Sequence, residues 1–380
     1  MMQIEPFALE RYFAKHEFSA RYLLSCSDCE ALSLTELLAM ADAETAELWR
    51  GLRLGYTESS GHPLLREAIA GLYGGLSSSD VLVAAPEEAI FLFMHAVLTP
   101  GDHVVCTVPA YQSLTAVARS IGCEVSSWKP DEDRGWRFDL GILASLLRVD
   151  TRLVVVNFPH NPTGYVPPRA DFEALVDLVR RRAIHLLSDE MYRLLDVDPG
   201  ASLPAACDLS ETAHSLFGLS KSFGLPGLRV GWIASRDRRL INRLAVLKDY
   251  TTICASAPSE ILAIIALRRR AAIVARQLER LRRNLDVLGR FFAERDILFS
   301  WHRPRGGSVC FPRLEFTDDS QAFCDALVAR AGIMLAPSTL FAYGNRHVRI
   351  GFGRENLPEV LDRFADYLDR DTGAGHVGSA

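Results

Sequence analysis

The chain has 380 residues, of which 49% are hydrophobic and 23% charged, and its formal net charge is −5. That balance suits a globular protein with room for two sizeable cores, and its slight acidity argues against nucleic acid as a partner. No apolar run reaches the roughly 18 residues that a membrane span needs, and the opening M-M-Q-I-E-P-F lacks the basic and apolar parts of an export signal, so a cytoplasmic address is expected.

In chain order, residues 1–40 read as irregular apart from a short helix at 6–15. Leu64, Leu65, Ala68, Ile69 and Leu72 fall at helical spacing. A helix over 87–98 opens behind Pro86, with Glu87 and Glu88 near its positive end. Strands and helices then alternate: strand 104–108, helix 113–121, strand 124–128, helix 140–147, strand 153–158, helix 170–182, strand 184–187. The helix at 170–182 is amphipathic, with Phe172, Leu175, Leu178 and Val179 on one face. Such alternation predicts an α/β domain with a mainly parallel sheet. Apolar runs at 215–219 and 228–234 suit two buried strands around a polar, Gly-rich turn. Past Arg236, one long helical stretch is expected over 258–294, connecting two lobes. The rest mixes strands near 308–314 and 348–352 with helices at 320–331 and 357–368, a smaller α+β lobe. Residues 371–380 have the composition of a frayed tail.

Eight cysteines are scattered over the chain. Without an export signal they read as free, mostly buried thiols. Cys26-Ser27-Asp28-Cys29 has the C-x-x-C form, but no second pair follows at zinc spacing, and no metal site is assigned.

Lys221 sits just past the first of the two apolar runs, and Arg229 just inside the second. Buried lysines and arginines are scarce unless paired or working. A desolvated lysine loses its charge readily, which suits an amine that must attack a carbonyl. A surface hairpin with two solvated cations is an equally good reading of these residues alone. The wording separates the two: S-K-S-F-G-L-P-G-L-R-V-G-W, residues 220–232, resembles the lysine segment of the fold-type I, class I/II aminotransferases, which use pyridoxal 5′-phosphate (PLP). In that family the lysine holds the cofactor as a Schiff base and the arginine eight residues on binds its phosphate. The matching positions are Lys221 and Arg229, and Ser220 is a further candidate for the phosphate.

PLP also needs an anion for its pyridine nitrogen, a partner for its ring oxygen and a flat group over its ring. Asp189, in S-D-E-M-Y, falls at the end of the expected 184–187 strand, where parallel sheets bind ligands. The segment resembles the family's S-D-E-x-Y, whose aspartate pairs with the pyridine nitrogen; a helix N-cap is the other reading. Tyr192 resembles the tyrosine that bonds the ring oxygen, or else it is core. Asn161, in H-N-P-T-G, is good turn chemistry by itself. It also matches the family's asparagine beside the ring oxygen and the substrate carboxylate. Tyr111, in P-A-Y, matches the aromatic that stacks on the ring, or it packs in the core. Arg349, in H-V-R-I-G-F-G, matches the arginine that grips the substrate's α-carboxylate, which a guanidinium fork fits bidentately; a structural salt bridge is the alternative. Tyr56, in G-Y-T-E-S-S-G-H-P-L-L-R, resembles the tyrosine that reaches the phosphate in a neighbouring subunit's site, which implies a homodimer. A locally packed tyrosine is the other possibility.

The sequence departs from the family at two places. The Gly-Ala/Ser-x-Glu-Ala turn that cups the phosphate is Ala85-Pro86-Glu87-Glu88-Ala89 here, so Pro86 withholds an N–H and Glu87 stands close to a dianion. Gly218 stands where a serine or threonine hydroxyl is common. The remaining cofactor contacts then fall to Arg229, Ser220 and the amides around Ala85, Pro86 and Glu87. The N-terminal pocket segment is replaced by residues 24–30, where Asp28 and Glu30 read either as two solvated carboxylates or as acids of which one faces the pocket and favours a cationic amino acid.

The resemblance runs from about Tyr56 to Arg354. It implies a PLP fold of type I, with a large domain over 46–284 holding a mainly parallel, seven-stranded sheet. A small α+β domain is then built from 1–45 and 285–370. It further implies an aminotransferase that moves the α-amino group of an amino acid to a 2-oxo acid, with Lys221, Asp189 and Tyr192 as the catalytic residues. The alternatives are other PLP reactions: a β- or γ-lyase, a decarboxylase, or an oxidative or cyclising enzyme acting on a cationic amino acid such as arginine. A non-catalytic PLP binder is the remote one.

Overall fold

The computed structural model describes residues 4–371. Seven strands form one sheet in the order Val81–Ala84, Gly231–Ala234, Ala213–Gly218, His185–Asp189, Thr151–Asn157, His103–Thr107, Glu124–Trp128. The last five of these are mutually parallel, and Gly231–Ala234 runs antiparallel to both its neighbours. Every residue of the Val81–Ala84, Ala213–Gly218 and Gly231–Ala234 strands is buried. Near-continuous burial is what a sheet covered on both faces requires. Alternate side chains enter different cores: Leu82 and Ile233 join Phe93 and Leu114 on one face, while Val83 and Trp232 join Ile261 and Ile264 on the other. This is the α/β architecture with a seven-stranded, mainly parallel sheet that the sequence implies.

Two expected elements divide. The helical stretch at 258–294 is two helices, Ala257–Arg268 and Arg270–Ala293. The first is buried without a break from Glu260 to Leu267, whereas the second buries only one stripe. One straight cylinder cannot serve both environments, and the chain turns at Arg269. The strand expected at 308–314 is two short ones, Val309–Cys310 and Arg313–Leu314, which pair with Val348–Gly351 and Phe299–Ser300 respectively. Pro312 between them has no N–H to continue a ladder.

The N-terminal region is more ordered than its composition suggests. It holds a helix at Ala8–His16, a short strand Tyr22–Leu23 parallel to Ile333–Met334, and a helix at Leu34–Ala39. The last carries a capping box, Ser33 with Glu36, a signal legible in the sequence. Tyr22 and Leu24 pack with Leu281, Phe292, Ile350 and Phe364 in a core separate from those of the large sheet. All eight cysteines are free, and all but Cys254 are buried. No described helix is long and apolar enough to cross a membrane. The tail expected at 371–380 lies, beyond Asp371, outside the described residues.

Gly351 shows how closely the N-terminal segment is pressed onto this second core. A Cβ there would meet the Cys26 carbonyl oxygen at 1.7 Å. Gly351→Ala is expected to destabilise the protein by about 3 kcal/mol, the upper end for overpacking. Gly200→Ala, where the nearest atom is 3.6 Å away, should stay within about 0.5 kcal/mol. Denaturant titration of both variants checks the contrast.

Candidate active site

Asn157 and Asp189 are register partners at the carboxyl ends of adjacent parallel strands. Lys221 follows the end of the next strand, Ala213–Gly218. A cavity of about 590 Å³ opens above this edge. Lys221, Asp189, Asn161, Tyr111, Tyr192, Arg229, Ser220, Pro86, Glu87 and Arg349 all line it. Tyr56 does not and is 91% exposed. Ala85 does not either: it caps the helix Pro86–Val97, and its N–H donates to the Glu88 carboxylate.

Asp189 is buried, and the chain after it forms a turn rather than a helix, so it caps nothing helical. One carboxylate oxygen accepts the Met191 N–H at 3.0 Å. Burial, reinforced by Glu87 and Glu190, pushes its pKa up to about 7 against the pull of the Met191 N–H and Lys221. Asn157 holds the loop beside it in place. Its amide donates to the Asp189 carbonyl at 2.9 Å, and its side-chain oxygen accepts the Asn161 N–H at 2.7 Å.

Lys221 donates from Nζ to Ser27 Oγ at 2.8 Å. Burial lowers its basicity, with Arg349 adding to the effect and Asp28 opposing it. Arg349 is 1% exposed. It donates to the Ser25 carbonyl at 2.9 and 3.2 Å and to Asn161 Oδ1 at 3.3 Å. Among the described residues no carboxylate pairs with it, so the salt-bridge reading finds no partner. An uncompensated buried guanidinium calls for an anion, and an α-carboxylate fits the fork.

The set matches what PLP needs. Lys221 offers an amine of reduced basicity, Asp189 an anion, and Tyr111 a ring whose outer side meets Phe7 at 5.0 Å between centroids. Two buried hydroxyls on the cavity wall, Tyr192 Oη and Ser220 Oγ, have no hydrogen-bond partner. Buried polar groups of that kind are rare without a ligand or water to meet. The departures at the phosphate end are coupled sterically. A Cβ on Gly218 would lie 2.9 Å from the Val230 carbonyl oxygen, and one on Gly231 would lie 2.9 Å from Pro86 Cγ. Gly218 and Gly231 are paired across the two strands, and the Pro86 ring rests against Gly231.

Four lining residues escape a motif reading: Glu10, Glu17, Ser27 and Asn157. Glu10, Phe13 and Glu17 recur at i, i+3, i+7 spacing along the Ala8–His16 helix and its C-cap, while Tyr12 and His16 are buried away from the cavity. That acidic stripe was the available signal. Of the two N-terminal acids that could face the pocket, Asp28 lines it. Glu30 turns away and accepts the Glu355 N–H at 3.0 Å.

The sequence pattern of the family "Aminotransferase class I and II" matches residues 24–366. Capreomycidine synthase of Streptomyces vinaceus is 34% identical over 95% of this chain and 93% of its own length. Arginine–pyruvate transaminase of Pseudomonas aeruginosa is 30% identical over 82% of this chain and 81% of its own. The crystal structure of a PLP-dependent cyclase superposes with a TM-score of 0.89 at 29% identity, covering 97% of this chain and 98% of that one.

With its pKa raised from an unfolded value of 3.8 to about 7, Asp189 is a group whose stabilising protonated form is complete below about pH 4 and lost as pH rises through about 7. In cofactor-free protein, Asp189→Asn should therefore gain melting temperature relative to wild type between about pH 5 and pH 8. A gap that stays constant over that range would contradict the burial argument.

Proposed function

The chain belongs to the class I and II aminotransferases, a family of PLP enzymes, and from that premise we propose that it acts on an α-amino acid with a cationic side chain, a guanidinium above all. The observation that carries this is the acidic lining that the N-terminal segment brings to the cavity: besides Arg349, the lining includes Glu10, Glu17 and Asp28. Arg354 donates to both oxygens of Asp28, at 3.0 and 3.1 Å, and is shared with Glu30. Glu10 and Glu17 have no cationic partner among the described residues. Burial and the nearby Asp28 and Glu10 charges hold the Glu17 carboxyl above its usual range, a strain that a substrate cation would relieve.

Bound PLP supplies an aldehyde for the lysine amine and an electron-poor ring that acidifies Cα. Arg349 and Asn161 hold the substrate carboxylate and so fix which bond at Cα faces the ring. Lys221, its amine made less basic by burial, accepts the Cα proton and returns it. Asp189 stays ionised against the protonated ring nitrogen. Tyr192 donates its free hydroxyl to the ring oxygen, and Arg229 with Ser220 holds the phosphate. Phe7 and Phe13 close the cavity from the N-terminal helix and keep water from the reacting carbon. The active unit is a homodimer in which Tyr56 serves the neighbouring site; its exposure supports that placement.

Transfer of the α-amino group to a 2-oxo acid is the first reading, in keeping with the relative named arginine–pyruvate transaminase. A second reading is cyclisation of an arginine-type substrate that carries a leaving group such as hydroxyl on its side chain: the α-nitrogen is retained, a guanidine nitrogen bonds to the carbon that loses that group, and the group departs with the guanidine's proton. The relatives named capreomycidine synthase and PLP-dependent cyclase favour it, since both match at least 95% of this chain.

Glu10→Gln with Glu17→Gln should lower kcat/KM for arginine-type substrates by about tenfold or more, as expected for loss of close charge pairs, while leaving norleucine unchanged; equal losses on both would refute a cation site. With substrate labelled as 15N at the α-position, label appearing on an added 2-oxo acid identifies transfer. Label kept in a ring product formed without an acceptor identifies cyclisation.

A further inference from the structure

The phosphate end of the cavity is short of donors. Pro86 opens the helix without an N–H, Gly218 has neither a hydroxyl nor space for one, and the Ala85 N–H is engaged by Glu88. What remains is the pair of free amides in the first turn of the 12-residue helix Pro86–Val97, the orphaned Ser220 hydroxyl, Arg229, and the carboxyl of Glu87. That carboxyl is half-buried on the cavity wall and accepts from Ser113 Oγ at 3.3 Å. Tyr111 faces it from the same loop, Glu10 from the N-terminal helix, Arg229 from the turn after Pro226, and Asp189 from the neighbouring strand end. An ionised Glu87 here would oppose both a phosphate dianion and the Asp189 charge that the ring nitrogen requires, with Arg229 alone to offset them.

We propose that Glu87 carries its proton when PLP is bound and donates it in a hydrogen bond to a phosphate oxygen, taking the place of the donors that Pro86 and Gly218 cannot supply. Burial first, and then the Glu10 charge, hold this carboxyl above its usual range, against the hydrogen bonds from Tyr111 and Ser113 and the Arg229 charge, which pull it down. Cofactor retention is thereby tied to pH: complete while Glu87 is neutral, and weakened as it ionises. The inference rests on the cofactor placement proposed above.

The test uses pyridoxine 5′-phosphate, which has the phosphate but no aldehyde and so cannot bond to Lys221. Its affinity for cofactor-free protein is measured by calorimetry from about pH 6 to pH 9 for wild type, Glu87→Gln, Glu87→Ala and Arg229→Ala. The glutamine keeps a donor at every pH, and the phosphate's own ionisation is common to all and cancels in ratios. Wild type should bind like Glu87→Gln at the acid end and at least tenfold more weakly at the alkaline end. Glu87→Ala should be weaker than Glu87→Gln throughout. A wild-type to Glu87→Gln ratio that does not change with pH overturns the proposal. Arg229→Ala binding as tightly as wild type would instead overturn the phosphate placement on which it rests.

Discussion

Asp189 and Arg349, both buried, and the half-buried Lys221 share the cavity without pairing with one another. Their hydrogen bonds go to a backbone N–H, a serine hydroxyl and a carbonyl. Left alone, such groups cost stability, and the shifted acidities of Asp189 and Lys221 are the measure of that cost. The sheet makes the arrangement possible. Parallel strands in register carry Asn157 and Asp189 to one edge, and the antiparallel return of Gly231–Ala234 brings the Lys221–Arg229 turn over the same edge. The large apolar cores on both faces of the sheet offset a site that would not hold itself together.

The phosphate end illustrates how a local change propagates through packing. A proline ring at the start of a helix needs glycine beneath it, and glycine on one strand comes paired with glycine on the next. Each departure from the family's pattern reads as an isolated loss in the sequence. In the structure they form one steric unit, and the carboxyl of Glu87 lies beside it. A fold does not fix a reaction, and in this chain the variation lies at the cofactor's phosphate and at the substrate's side chain, while the lysine and aspartate positions follow the family.

Much of this was legible in the sequence. The strand-helix alternation and the two apolar runs account for six of the seven strands of the sheet, Val81–Ala84 being the one missed, and the lysine, aspartate and asparagine motifs fall on one cavity because each ends or follows a strand, while Arg349 reaches it from within Val348–Gly351. Glu10 and Glu17 were not legible as site residues. Their segment is held at the cavity by long-range contacts, Gln112 with the Ala8 N–H and the Pro6 carbonyl, the Tyr111 hydroxyl with Glu10, and Tyr22–Leu23 with Ile333–Met334, and no local pattern encodes them. Asp28 and Glu30 were indistinguishable for the same reason: a turn held by Arg354 and the Glu355 N–H decides which one faces inward. The break at Arg269 and the split at Pro312 reflect where burial changes and where a ladder donor is missing.

The central claim is that Lys221 holds the cofactor, and the composition makes it unusually open to test. The chain has four lysines, Lys15, Lys129, Lys221 and Lys248, and Lys248, fully buried against Thr252, is the competitor. Borohydride reduction of the PLP-loaded protein, followed by peptide mass mapping, should place one pyridoxyl group on the peptide containing Lys221 and none elsewhere. A pyridoxyl mass on another lysine, or none on Lys221 after full reduction, would contradict the account.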